Sequence, residues 1–273
     1  MCGIAGWISN KPLDKETSKL LSEALLFYAS ERGAQSAGIW TPDNGLLKKA
    51  VHPKQFVKSH NFMTYWKHES KICLLHTRQP TCGARGDAQA QPFDHGDTVT
   101  VHNGWYHNAK PLRDQWKLNK TSGVDSELAC EFIEAYGIKK LPEFIESGYG
   151  SSALGIYNNG KLFVYRDGNP LSIVHLSFDG GLKLAIFAST SELLESALKY
   201  LWLMPLVQYR SIKEHKLYEL TPSGLIGIIG HAKRMRGSSN NLWLENDLPD
   251  EPKELPGEDS IRAFFRANRE DFN

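Results

Sequence analysis

Short apolar runs bounded by turn residues fill this chain, and they fall into two groups on either side of a helical stretch. The first group is GIAGWI, SAGIW, LLKKAV, KICLLHT and TVTVHN; the second is ALGIY, KLFVYR, LSIVHL, LKLAIFA, KLYELT and GLIGII. Runs of this length and composition read as strands, and two sets of them predict two antiparallel sheets packed face to face with helices outside, an α+β arrangement. Helical spacing covers residues 14–29, where Leu20, Leu21, Ala24, Leu25 and Tyr28 recur behind a cap at Asp14. It returns in DSELACEFIEAYG, LPEFIE and SELLESALKYL. Turns at Asp43-Asn44-Gly45 and Asn158-Asn159-Gly160 predict hairpins, because asparagine and glycine tolerate the positive φ that tight hairpin turns demand. No internal repeat is present.

The chain has 273 residues, 41% of them apolar and 23% charged, enough for one sizeable core. A net charge of +1 offers no bulk attraction to nucleic acid or acidic lipid. No run reaches the roughly eighteen apolar residues that span a bilayer, and the N-terminus lacks a signal-peptide pattern, so a cytoplasmic protein is expected. Cys2, Cys73, Cys82 and Cys130 show no C-x-x-C spacing, which predicts neither a disulfide framework nor a zinc knuckle. After residue 230 a basic cluster gives way to the proline-rich and acidic stretch NDLPDEPKELPGED. We read residues 2–230 as the folded domain and residues 231–273 as a tail, either a poorly ordered end or a docking arm that ends in a short helix with Phe264 and Phe265 as anchors.

Cys2 is the residue that turns this organisation toward chemistry. Removal of Met1 ahead of so small a side chain would leave one residue carrying both a thiol and a free α-amine. The amine titrates near 7.7–8.0 and the thiol near 8.5, so the first can take the proton of the second at little cost. Several polar or glycine-rich segments at strand ends supply what a thiol would need to cleave a carboxamide. Asn103-Gly104 can offer two N–H donors to an oxyanion. Arg78 can hold a carboxylate in a planar fork, and Asp125 can face an ammonium. Each piece also has an ordinary reading: a turn at His102-Asn103-Gly104, a surface ion pair at Arg78, and a helix cap at Asp125. His76, His95, His102 and His107 lack ligand spacing, so no metal is expected.

Taken in order, MCGI, RG-x-x-SAGI, HTR-x-x-T-x-G, QPF, HNG and DSE resemble the class II glutamine amidotransferases, most of all the glutaminase domains of glutamine phosphoribosylpyrophosphate amidotransferase and glucosamine-6-phosphate synthase. The resemblance covers roughly residues 2–230. It implies the four-layer αββα sandwich of N-terminal nucleophile hydrolases, with Cys2 as nucleophile and Asn103 and Gly104 as oxyanion hole. It also implies Arg78, Thr81 and Asp125 on glutamine, and Arg32 bracing the strand of the nucleophile. No cofactor follows from it. GYGSSALGIY, YRDGNPL and FASTSEL resemble the later strands and loops of the family. Gln79 departs from the pattern, since relatives commonly carry an aromatic flap residue there. Lacking an acidic VDD loop or an SGG-x-DS loop, the chain is expected to be free-standing and to pass ammonia to a separate synthase. The alternatives are a hydrolase of a γ-glutamyl amide in a larger metabolite, or an inactive regulatory module.

Overall fold

The computed structural model describes residues 1–79, 86–119, 122–178, 180–203, 209–231 and 254–255. An opening strand, β1 (Gly3–Leu13), leads into helix α1 (Lys15–Ala29). Asp14 caps that helix by accepting the Thr17 N–H at 2.9 Å, as its position in the sequence suggests. The hairpin β2 (Ser36–Thr41) and β3 (Gly45–Lys49) follows, then the short helices α2 (Pro53–Phe56) and α3 (His60–Met63), and strand β4 (Ser70–Arg78). Strands β5 (Phe93–His95) and β6 (Thr98–Tyr106) precede three helices, α4 (Ala109–Trp116), α5 (Glu127–Tyr136) and α6 (Leu141–Ser147). The second half contributes β7 (Gly150–Asn158), β8 (Lys161–Asp167), β9 (Ser172–Phe178), β10 (Leu182–Ala188), α7 (Ser191–Tyr200), β11 (Arg210–Ser211), β12 (Lys216–Thr221), β13 (Gly224–His231) and β14 (Glu254–Leu255). The β7–β8 turn has φ of 49° at Asn159 and 81° at Gly160, the two successive positive values that its Asn-Gly sequence favours.

Two antiparallel sheets form, but they do not divide as the two runs of strands suggest. One has the order β11-β9-β10-β1-β4-β2-β3, with β14 lying parallel beside β9; the other has the order β13-β12-β8-β7-β6-β5. Strand β6 leaves the first run for the second sheet, while β9 and β10 cross back to the first sheet, with β10 beside β1. The physical reason is that β1 is buried on both faces and so must be paired on both edges, one by β4 and the other by β10. Helices α2, α3 and α4 were not legible as periodic segments. Apart from His231 and Glu254–Leu255, the expected tail lies outside the described residues.

Alternating residues of each strand feed different layers. From β1, Ala5 and Trp7 join Leu25 of α1 and Leu194 of α7, whereas Ile4 joins Val99, Val101, Val164 and Phe187 between the sheets. Beyond the second sheet, Leu154 and Tyr165 pack on Leu128, Phe132 and Phe144 of the α5–α6 layer. The layers therefore run helix, sheet, sheet, helix. Their strands read as nearly unbroken apolar runs because both faces are covered.

Phe187 sets how closely the sheets approach. Its ring occupies a slot opened by two glycines: a Cβ on Gly6 would stand 2.5 Å from Phe187 Cε1, and one on Gly155 would stand 2.4 Å from Cζ. Gly155→Ala should cost about 1–3 kcal/mol by overpacking. At about 2–4 °C per kcal/mol for a domain of this size, thermal melting should register the loss as a fall of several degrees in Tm. Phe187→Leu should be better tolerated in the Gly155→Ala background than alone, and strictly additive losses would refute the slot.

Candidate active site

The leading end of β1, the C-terminal end of β4 and the middle of β6 converge at one edge of the sandwich. Gly3 pairs with Thr77, and Ser36 of β2 pairs with Arg78. Gly3 has no room for a side chain, since a Cβ there would stand 2.5 Å from Thr77 Oγ1 and 2.9 Å from the Ala29 carbonyl. Thr77 Oγ1 donates to that same carbonyl at 2.8 Å, tying the end of α1 to β4. The chain then turns so that Arg32 Nε donates to the backbone oxygen of Cys2 at 3.1 Å. Arg32 thus holds the backbone just ahead of β1.

Cys2 itself is half-buried. Its backbone N–H donates to Asn103 Oδ1 at 3.1 Å, and its thiol donates to the Gln79 carbonyl at 3.6 Å. Burial pushes the thiol above its ordinary value; hydrogen bonding with the Gln79 backbone, the terminal ammonium and the Arg78 guanidinium act against that rise, and the Asp125 carboxylate reinforces it. Arg78 and Asp125 are therefore both within electrostatic reach of Cys2. Arg78 is only 5% exposed, which removes the reading of a surface ion pair. Cys73 and Cys130, by contrast, are wholly buried thiols raised by desolvation, packing groups without an approach from solvent. Thr81 and Cys82 lie outside the described residues.

Asn103 is buried, and its orientation is set at two atoms. Oδ1 takes the Cys2 N–H, and the backbone oxygen accepts from Asn169 Nδ2 at 3.0 Å. The remaining amide nitrogen, Nδ2, is buried with no hydrogen-bond partner among the described residues. Such a donor is costly to leave unmade, about 1–3 kcal/mol, and calls for an explanation.

The backbone of β6 explains the adjacent glycine. N–H and C=O groups two residues apart in a strand point to the same edge. His107 N–H meets the Tyr149 carbonyl on the β7 side, so odd-numbered residues here face β7 and even-numbered ones face the other edge. On that other edge the His102 N–H and C=O are taken by the Gln91 side chain, at 2.7 and 3.2 Å, and the Tyr106 N–H by Asp125 Oδ2 at 2.7 Å. Gly104 is the rung between them. Its lack of a side chain also has a packing cause, because a Cβ would stand 2.2 Å from the Ser151 carbonyl and 2.5 Å from His102 Nε2.

Asp125 uses one carboxylate oxygen on this strand edge. It is Ser126 that stands at the N-terminus of α5, and its hydroxyl pairs with His102 Nδ1 at 2.9 Å instead of capping the helix. Sequence reading missed the specific tasks of Gln91, Ser126 and Asn169. The QPF and YRDGNPL segments were visible, but a side chain that substitutes for a missing strand carries no local signature.

No protein-family model matches the chain. It is 27% identical over 210 residues to a glutamine–fructose-6-phosphate aminotransferase of Rhizobium meliloti, covering 71% of this chain and 33% of that protein. A 7-cyano-7-deazaguanine synthase of Sulfolobus acidocaldarius is 26% identical over 205 residues, covering 70% of this chain and 44% of that protein. The matched region is thus a third to under a half of these relatives' lengths. Among solved structures, a glutamine phosphoribosylpyrophosphate amidotransferase from B. subtilis superposes with a TM-score of 0.62 at 20% identity, over 83% of this chain and 49% of that one. The layers and this superposition define an N-terminal nucleophile hydrolase fold. Within that fold, the chain is similar to class II glutamine amidotransferase domains. No helix among the described residues is long and apolar enough to cross a membrane.

The two histidines behind Asn103 predict an acid-sensitive fold. Burial holds His76 at about 3 and His102 at about 4, below the ordinary 6.5, so both are neutral in the folded protein near pH 7. Unfolding releases them to about 6.5. Below that pH the unfolded chain binds more protons, so stability is complete above pH 6.5 and falls as the pH drops toward 4, by up to about 1.4 kcal/mol per pH unit for each ring. Urea midpoints between pH 7.5 and 5 should fall accordingly. His76→Gln should show a shallower acid slope than the parent protein, and equal slopes would contradict the assignment.

Proposed function

We propose that this domain hydrolyses the side-chain amide of glutamine, with Cys2 as nucleophile once Met1 has been removed. The observation that carries the reading is the arrangement around Asn103: its Oδ1 is held by the Cys2 N–H, which leaves a buried Nδ2 on the same amide with no partner among the described residues. The α-amine of Cys2 takes the thiol proton, and the thiolate attacks the amide carbon. The oxyanion that forms is met by Asn103 Nδ2 and by the Gly104 N–H at the open rung of β6. The protonated amine returns its proton to the leaving nitrogen, ammonia departs, and a glutamyl thioester remains. Water, activated by the same amine, then releases glutamate and restores the thiol.

Arg78 and Asp125 are the proposed clamp for the α-carboxylate and α-ammonium. Their placement supports this, since both charges act on Cys2 and Asp125 is fixed to the Tyr106 rung, one step beyond Gly104. Thr81 is proposed as a further contact from the resemblance alone. The ammonia would pass to a partner synthase, a reading supported by relatives in which the matched region is only part of a longer chain.

Incubation with the electrophilic analogue 6-diazo-5-oxo-norleucine should modify the N-terminal peptide at Cys2, as read by mass spectrometry, and Cys2→Ala should abolish glutaminase activity. Asn103→Ala should lower kcat by about 10²–10³-fold, the usual effect of losing one oxyanion donor. Arg78→Lys should act mainly on KM, because the bidentate fork is lost while the charge stays. Folded protein that has lost Met1 yet resists modification at Cys2 would refute the proposal.

A further inference from the structure

Asn169 stands in the turn after β8 and touches none of the groups proposed to meet substrate. Its Nδ2 donates to the backbone oxygen of Asn103 and to Ser151 Oγ, both at 3.0 Å. The turn is firmly held. Gly168 N–H donates to Glu214 Oε1 at 3.2 Å, Arg166 Nε donates to the Ile212 carbonyl at 2.7 Å, and His215 N–H donates to the Arg166 carbonyl at 3.0 Å. Arg166 and Asp167 are buried beneath it.

The carbonyl that Asn169 grips belongs to the same peptide unit as the Gly104 N–H. A trans peptide is planar, with its C=O and N–H directed oppositely. Together with the pairing of Asn103 with Ala153 of β7, this second donor holds the oxygen on the β7 side and so the Gly104 N–H on the other edge, between the rungs occupied by Gln91 and Asp125. A donor on the carbonyl also draws electron density through the amide and strengthens the N–H as a donor in its turn, the cooperativity expected of hydrogen-bonded chains.

We propose that Asn169 is the positioning residue for the backbone half of the oxyanion hole, orienting and polarising the Asn103–Gly104 peptide. The proposal rests on the amide-hydrolysis reading given above. Because an oxyanion exists only during reaction, the effect belongs to kcat and not to glutamine binding.

Asn169→Asp keeps the shape of the side chain and removes its donor, while Asn169→Ala removes both. Each should lower kcat for glutamine hydrolysis by about 10-fold, short of the loss from deleting an oxyanion donor outright, with KM changed by no more than about twofold. A second readout does not depend on turnover. Labelling asparagine with ¹³C at the carbonyl and glycine with ¹⁵N selects three peptide units, 44–45, 103–104 and 159–160. In both variants the Gly104 amide nitrogen should move upfield, with Gly45 and Gly160 unmoved as internal controls. A Gly104 resonance that stays in place overturns the inference whatever the activity does, and so does an unchanged kcat. Absent turnover and an unmodified Cys2 in the parent protein would count against the hydrolase reading, and the Gly104 resonance would still decide the orientation.

Discussion

Pairing of β1 on both edges is the constraint on which the site depends. A strand that begins at the third residue and lies between β4 and β10 cannot slide, because slipping one position would exchange Ile4 and Ile8 for Ala5 and Trp7 across two filled cores. The chain end just ahead of it is therefore delivered to a fixed point at the rim of the sheet. Gly3 lets α1 close over that point, and Arg32 seizes the carbonyl of Cys2. The segment just ahead of β1, ordinarily among the looser parts of a fold, is here tied down by a strand paired on both edges.

Strand β6 provides the opposite wall by leaving one edge unfinished. Strand β5 covers only its first residues, Thr98 to Thr100. Beyond them side chains replace a neighbouring strand: Gln91 completes the His102 rung and Asp125 the Tyr106 rung. An edge left bare would invite another strand. Among the described residues that edge is closed by side chains at the His102 and Tyr106 rungs, with Gly104 between them. The buried layer of His76, His102 and Ser126 behind it keeps the wall rigid without placing a charge there near neutral pH.

The sequence spoke clearly about elements and poorly about partners. Alternation and turn residues located the strands, the Asp14 cap and the Asn159-Gly160 turn, and the order of six motifs pointed to the family and to Cys2, Arg32, Arg78, Asn103 and Asp125. It did not show that β9 and β10 return to the first sheet, because strand order is decided by which apolar faces fit and not by chain order. The short helices α2 and α3 span barely a turn each, too little for periodicity to register. Gln91 and Asn169 act through hydrogen bonds to backbone far along the chain, and no spacing rule reports a contact between residues 91 and 102 or 103 and 169.

The choice of asparagine at position 103 follows from these same bonds. One side chain must accept the Cys2 N–H and still present a donor to the site, which an amide can do and a carboxylate cannot. An aspartate of the same shape would keep the bond to Cys2, but it would set a negative charge beside a thiol that burial already disfavours as thiolate. Nδ2, without a hydrogen-bond partner among the described residues, is the cost of that arrangement, about 1–3 kcal/mol. On the proposed mechanism, an oxygen at that site would satisfy the donor, and most fully when it bears charge. In the proposed mechanism, that donor favours the oxyanion over the neutral carbonyl.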